Sequence, residues 1–169
     1  MKFEYKKTKS LIEIQPPYTL KSIDLKTKTA NLCCRETLEI IDLPIDSLFF
    51  NDSITDKMHP MDAAHIGYHF GLLEKKGEWS VTTCTAKQQV LKRGPLNIAA
   101  IGRDKKLILE NQSRDLVFSK DALELYKNTF FMKKFSPSQA LYIGYLASTL
   151  TLPKESIKKN NYSFLRLVK

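Results

Sequence analysis

The sequence predicts an α+β protein, mostly antiparallel sheet with short helices, arranged as two similar β-β-β-α-α halves with pseudo-twofold character. Three observations predict it. Strand-like runs are joined by short polar turns, which suit antiparallel neighbours and leave no room for crossover helices. The segment 60–68 recurs as 137–145, both reading P-x-x-A-x-x-I-G-Y, and a repeat of that size marks a duplicated supersecondary unit. At 169 residues the chain suits one domain of ordinary size, and no Gly-, Ser- or Pro-rich linker divides it. We expect one compact body over 1–169, with a first half over 10–76, a second over 77–150 and a tail over 151–169.

The elements follow in order. Residues 10–14 alternate weakly and stop at Pro16-Pro17, as an edge strand or extended arm does. Residues 18–24 alternate well, 26–29 turn the chain, and 31–34 and 37–41 continue as strand with a bulge at Arg35-Glu36. Pro44 ends this sheet, and a short helical turn through 47–50 is broken by Asn51-Asp52-Ser53. A loop over 55–59 leads into a helix started by Pro60 and closed by Lys76-Gly77. Residues 79–85 and 88–92 read as strands, followed by a turn at Arg93-Gly94-Pro95. A strand over 97–101, a turn at 102–105 and a strand over 106–110 make a hairpin, with a last strand over 116–118. Ser119 is placed to cap a helix that runs to about Phe131 with Asp121 in its first turn. The loop 133–136 delivers a second proline-started helix, 137–150. A Lys-rich turn after Leu152-Pro153 and a strand over 162–168 finish the chain.

The proline-started helices carry small residues at four-residue spacing: Ala63, Gly67, Gly71 and Ala140, Gly144, Ser148. That spacing puts each trio on one helical face. Glycine inside a helix costs about 1 kcal/mol against alanine, so these glycines imply close approach of another backbone. His59 is a mediocre cap for the first helix and Ser136 a good one for the second.

Composition narrows the class. The net charge is +9, carried by 22 Lys and only 5 Arg. Scattered lysines keep a surface soluble, whereas arginine forks are favoured for phosphates and base edges. No apolar stretch reaches membrane-spanning length and the N-terminus lacks a signal-peptide run, so we expect a cytoplasmic protein without a membrane span. Cys33, Cys34 and Cys84 lack metal-ligand spacing and are expected to be buried free thiols.

Chemistry is thinly marked. Asp62, His65 and His69 can share one helical face, with His59 nearby, and suit a divalent transition metal. The glutamate that a zinc-protease helix has after its first histidine is Ile66 here. The second repeat has Gln139, Tyr142 and Leu146 in their place, and we expect the three to lie opposite the small face, at the surface or half-packed. Cys34 and Cys84 offer poor settings for a nucleophile. Lys92, Arg93, Arg103, Lys105 and Lys106 would gather at hairpin ends as candidate contacts for an anion or partner. Walker, dinucleotide and G-x-S-x-G signatures are absent from the sequence, and no cofactor is expected.

The reading is a non-catalytic cytosolic binding or adaptor protein with a basic surface, its partner another protein or a second copy of itself. One alternative is a nucleic-acid-associated protein that holds the phosphate backbone through lysine-rich turns. The other is an enzyme or metal site around His59–His69.

Overall fold

A computed structural model describes residues 16–74, 93–102 and 104–150. The predicted strands at 10–14, 79–85, 88–92 and 162–168, the helix end at Lys76-Gly77 and the turn after Pro153 lie outside them, as do Cys84, Lys92 and Arg103.

Two three-stranded antiparallel sheets and several short helices make an α+β fold. The first sheet has β1 (Tyr18–Asp24), β2 (Thr29–Cys34) and β3 (Ile40–Pro44), in that spatial order. It is followed by α1 (Ile45–Phe50), α2 (Asp52–Thr55) and α3 (Pro60–Glu74). The second run has β4 (Leu96–Ile101), β5 (Leu107–Asn111) and β6 (Val117–Lys120), then α4 (Ala122–Lys127), α5 (Thr129–Met132) and α6 (Pro137–Leu150). Each element of the second run begins 77 or 78 positions after its counterpart.

Local chemistry explains the elements and corrects the sequence reading at three places. The expected bulge at Arg35-Glu36 is a tight turn: Leu38 N–H donates to the Cys34 carbonyl, Cys34 N–H to the Glu39 carbonyl, and Leu38 takes φ 58°. A positive φ at leucine is sterically costly, and alternation alone does not reveal it. The single helix expected to run from Ser119 to Phe131 is two. Ser119 lies in β6, Asp121 is the boundary residue of α4, and Asn128 breaks the run with φ −102° and ψ 97°. Its side-chain oxygen accepts from Phe130 N–H and Phe131 N–H, so the same residue ends α4 and caps α5. Asn51 works alike between α1 and α2, accepting from Ser53 N–H. Among the described residues each run therefore reads β-β-β-α-α-α, with one more short helix than expected. His59, unpromising as a cap, accepts from Met61 N–H through Nδ1 at 3.1 Å, while Ser136 Oγ accepts from Gln139 N–H.

The core is centred on α6, whose residues from Ser138 to Ser148 are buried on every side. It packs lengthwise against α3, the most extensive helix pairing among the described residues. Gly67 and Gly144 allow that approach. A Cβ on Gly67 would stand 1.8 Å from the Leu141 carbonyl oxygen, and one on Gly144 would stand 1.9 Å from that of Ala64. One turn further, a Cβ on Gly71 would fall 1.7 Å from Ser148 Oγ. Ala63 and Ala140 are fully buried beside them. Aromatic rings close one end: Phe49 stacks on Phe70 at 4.1 Å between centroids and leans on Tyr145 at 5.1 Å.

Candidate interaction surfaces

The helix face that carries Asp62, His65 and His69 is half-packed. All three residues are only half-exposed, and each is engaged. The Asp62 carboxylate accepts from Leu20 N–H at 3.2 Å, at the point where the β1–β2 register shifts. Bulges leave an unpaired amide, and Asp62 satisfies this one. Gln139 does the same in the second half, accepting from Ile98 N–H at 2.8 Å beside the β4 register shift. Gln139 also donates to Asn97, which ties down both the N–H and the carbonyl of Gly94.

His65 Nδ1 lies 2.7 Å from the Tyr126 hydroxyl, joining α3 to α4. Burial of the ring lowers its pKa, with a smaller upward pull from the Asp62 carboxylate and a further lowering by His69. Burial likewise raises the Tyr126 phenol to about 12, with Tyr68 adding to it. Tyr68 and Tyr126 stack at 4.6 Å. His69 Nδ1 donates to the His65 carbonyl at 2.7 Å. No group of three or more potential metal ligands occurs among the described residues.

The described candidate cations stand at two ends of β4. Arg93 precedes β4 and pairs with Glu110 at 2.8 Å, where Arg114 also approaches at 3.8 Å. Lys105 and Lys106 stand at the opposite end of β4, in the β4–β5 turn closed by Gly102 N–H and the Lys106 carbonyl. Six strand residues span roughly 20 Å, which separates Arg93 from this pair. Burial lowers the Lys105 pKa. Charge is also distributed otherwise than expected. The described residues hold 13 Lys and Arg against 14 Asp and Glu, so the net charge of +9 comes from the remaining segments. Among the described residues, 16–74 carry −4 and those of 93–150 carry +3.

Cys33 and Cys34 are half-exposed free thiols, not buried ones. The Thr37 hydroxyl and nearby backbone hydrogen bonds lower the Cys34 pKa.

Two surface features were missed from the sequence. The first is apolar exposure where each third strand begins: Leu38 is 77% exposed and Ile40 65%, and in the second half Leu116 is 53% and Val117 58%. Both β3 and β6 are edge strands. The second is a lysine–phenylalanine cluster where β6, α4 and α5 meet. Lys134 Nζ lies 4.5 Å from the Phe130 ring centre and 5.7 Å from that of Phe131, and Lys120 Nζ lies 5.5 Å from Phe131. Beside it runs an open groove of about 480 Å³ lined by Lys120, Glu124, Lys127, Asn128 and Phe131. The signal was present as exposed Phe next to Lys at 130–134, but the sequence did not place Lys120 and Lys127 against it.

No family model, no curated protein and no solved structure matches this chain.

Proposed function

We propose that this is a non-catalytic cytosolic binding or adaptor protein that works through protein–protein contact, with another protein or a second copy of itself. The contact surface is the pair of apolar sheet edges, and the described residues carry no net positive charge. The observation that carries this reading is the repeated exposure at the start of the two edge strands: Leu38 and Ile40, then Leu116 and Val117. An edge strand offers unpaired N–H and C=O groups, and soluble proteins blunt such edges with charge, proline or cover. Large aliphatic residues there favour strand addition by a partner, the backbone supplying affinity and the side chains specificity.

We read the halves as copies of one unit with pseudo-twofold character. The constant 77–78 offset, the paired Asn51 and Asn128 caps and the Asp62 and Gln139 bulge clamps support this. The reciprocal contacts of Gly67 with Leu141 and of Gly144 with Ala64 support it further. Such a scaffold presents two related edges on one body, as an adaptor requires. Asp62, His65 and His69 each hold a hydrogen bond within the fold, and no group of three or more potential metal ligands occurs among the described residues, which favours the binding reading over the enzyme or metal alternative.

The test is affinity capture from native extract at low and raised salt, wild type beside Ile40→Lys/Val117→Lys, with sedimentation of the purified chains. A discrete protein or a self-associated species, kept by wild type at raised salt and lost from the edge variant, is expected. Equal recovery from both chains would overturn the assignment to the edges.

A further inference from the structure

Independently of the sheet edges, we propose that the lysine–phenylalanine groove of the second half binds single-stranded nucleic acid, with phosphates held at Lys120 and Lys127 and a base stacked on Phe130. Four observations meet at this place. Phe130 is 66% exposed even with Lys134 over it, which leaves ring area for a planar ligand. Phe131, half-buried beneath, meets Phe130 edge-on at 5.9 Å and leans on Phe118 at 6.3 Å, so the outer ring stands on a fixed aromatic base. Lys120, Lys127 and Lys134 surround these rings, and no carboxylate among the described residues lies within salt-bridge range of any of them. The groove is open and roomy enough for a nucleotide unit, with the polar side chains of Asn128 and Thr129 on its wall.

Lysines that track a backbone beside an exposed ring are the means by which single strands are held without sequence preference. A duplex keeps its bases stacked and has none to offer Phe130. An acidic peptide would use the lysines and leave the exposed ring without a purpose. Charge favours a long polyanion as well, since the segments outside the described residues supply the whole positive excess. Glu124 also lines the groove and opposes an anion locally, against the two lysines beside it. At the corresponding positions of the first half, 77 residues earlier, stand Leu43, Phe50, Ser53 and Ile54. The groove is thus a property of one half.

The test is fluorescence anisotropy of the full chain with labelled single-stranded DNA and RNA of about 12 nucleotides, a length within the usual site sizes. Unlabelled duplex and polyglutamate serve as competitors across a salt series. Removing one stacked base is expected to weaken binding roughly fivefold to a hundredfold in Phe130→Ala, with Phe130→Tyr retaining affinity. Lys120→Gln and Lys127→Gln should each lower the logarithmic salt slope by about 0.7. Lys26→Gln/Lys28→Gln, in the first-half hairpin, should change affinity far less. An unchanged affinity in Phe130→Ala, an equal loss in the Lys26/Lys28 control, or displacement by polyglutamate as efficient as by unlabelled single strand would each overturn the proposal. The last outcome would mark the groove as a site for acidic peptide.

Discussion

Adding one methyl group at Gly67 tests the helix crossing that organises the molecule. The new Cβ would sit 1.8 Å from the Leu141 carbonyl oxygen and 2.7 Å from its carbon, where ordinary contact begins at 3.4 Å. Both obstacles are backbone atoms of a fully buried helix, so no side chain can swing aside. Relief requires α3 and α6 to part by roughly 1.5 Å, enough to forfeit much of the dispersion energy along the seam. Overpacking of this kind costs about 1–3 kcal/mol and occasionally more, against a gain of about 1 kcal/mol in helix propensity. With rigid atoms on both sides the upper end applies, and we expect Gly67→Ala to lose about 2 kcal/mol or more. In a chain of this size that lowers the melting temperature by about 4–8 °C. Gly144→Ala, aimed at the Ala64 carbonyl at 1.9 Å, should lose a similar amount. The double variant should lose less than the sum, because one separation of the helices relieves both clashes. Gly102→Ala is the control: its Cβ would meet the Asp104 carboxylate at 2.7 Å, the movable end of a side chain. Urea denaturation followed by circular dichroism measures all four. If Gly67→Ala and Gly144→Ala both fall within about 0.5 kcal/mol of wild type, the level of ordinary surface changes, the close crossing is refuted.

Three further outcomes are expected. Asp62→Ala and Gln139→Ala each leave a bulge amide without its acceptor, at a cost of about 1–3 kcal/mol; Asp62→Asn should be nearly neutral, and equal loss from Asn and Ala in urea melts would show that charge rather than acceptance matters. Because His65 has its pKa lowered in the fold, its contribution is complete above the unfolded value near 6.5 and is lost as pH falls through the folded value; Tyr126, raised to about 12, contributes fully below about 10 and loses it as pH rises toward 12. Melting temperatures across these windows should flatten on the acid side in His65→Gln and on the alkaline side in Tyr126→Phe, and unaltered curves would contradict both assignments. Finally, Cys34 should alkylate at lower pH than an ordinary thiol, with Thr37→Val shifting the profile upward; mass spectrometry of iodoacetamide-treated protein reads the site, and an unshifted profile would dismiss the Thr37 contact.

Much of the fold was legible because it rests on local rules. The hairpins show as alternation punctuated by polar turns, and α3 and α6 announce themselves through Pro60 and Pro137 and the spacing of Ala63, Gly67, Gly71, Ala140, Gly144 and Ser148. Where reading failed, one residue's backbone state decided the outcome: Leu38 at positive φ made a turn of an expected bulge, and Asn128 split an expected helix. Neither state follows from hydrophobic period, which reports faces and says little about breaks. The surfaces were less legible still. Asp62 seemed free to bind a metal because its acceptor role toward Leu20 N–H spans 42 positions. A total charge carries no coordinates, and most of the positive excess belongs to segments outside the described residues.

By itself, then, the sequence determined the strand and helix content, the repeat, and the smooth helical faces, all of which depend on neighbours a few residues apart. Only the tertiary structure decided what those faces meet and which distant side chains share a surface. Lys120, Lys127 and Phe130 lie on β6, α4 and α5 and Lys134 on the loop that follows, and they meet because these segments converge. The exposure of Leu38, Ile40, Leu116 and Val117 follows from β3 and β6 being edges. Short turns order the strands, but which sheet face is buried depends on the core that Ala30, Leu32, Leu107 and Leu109 share with α3 and α6, a sum over the whole chain that no short window contains.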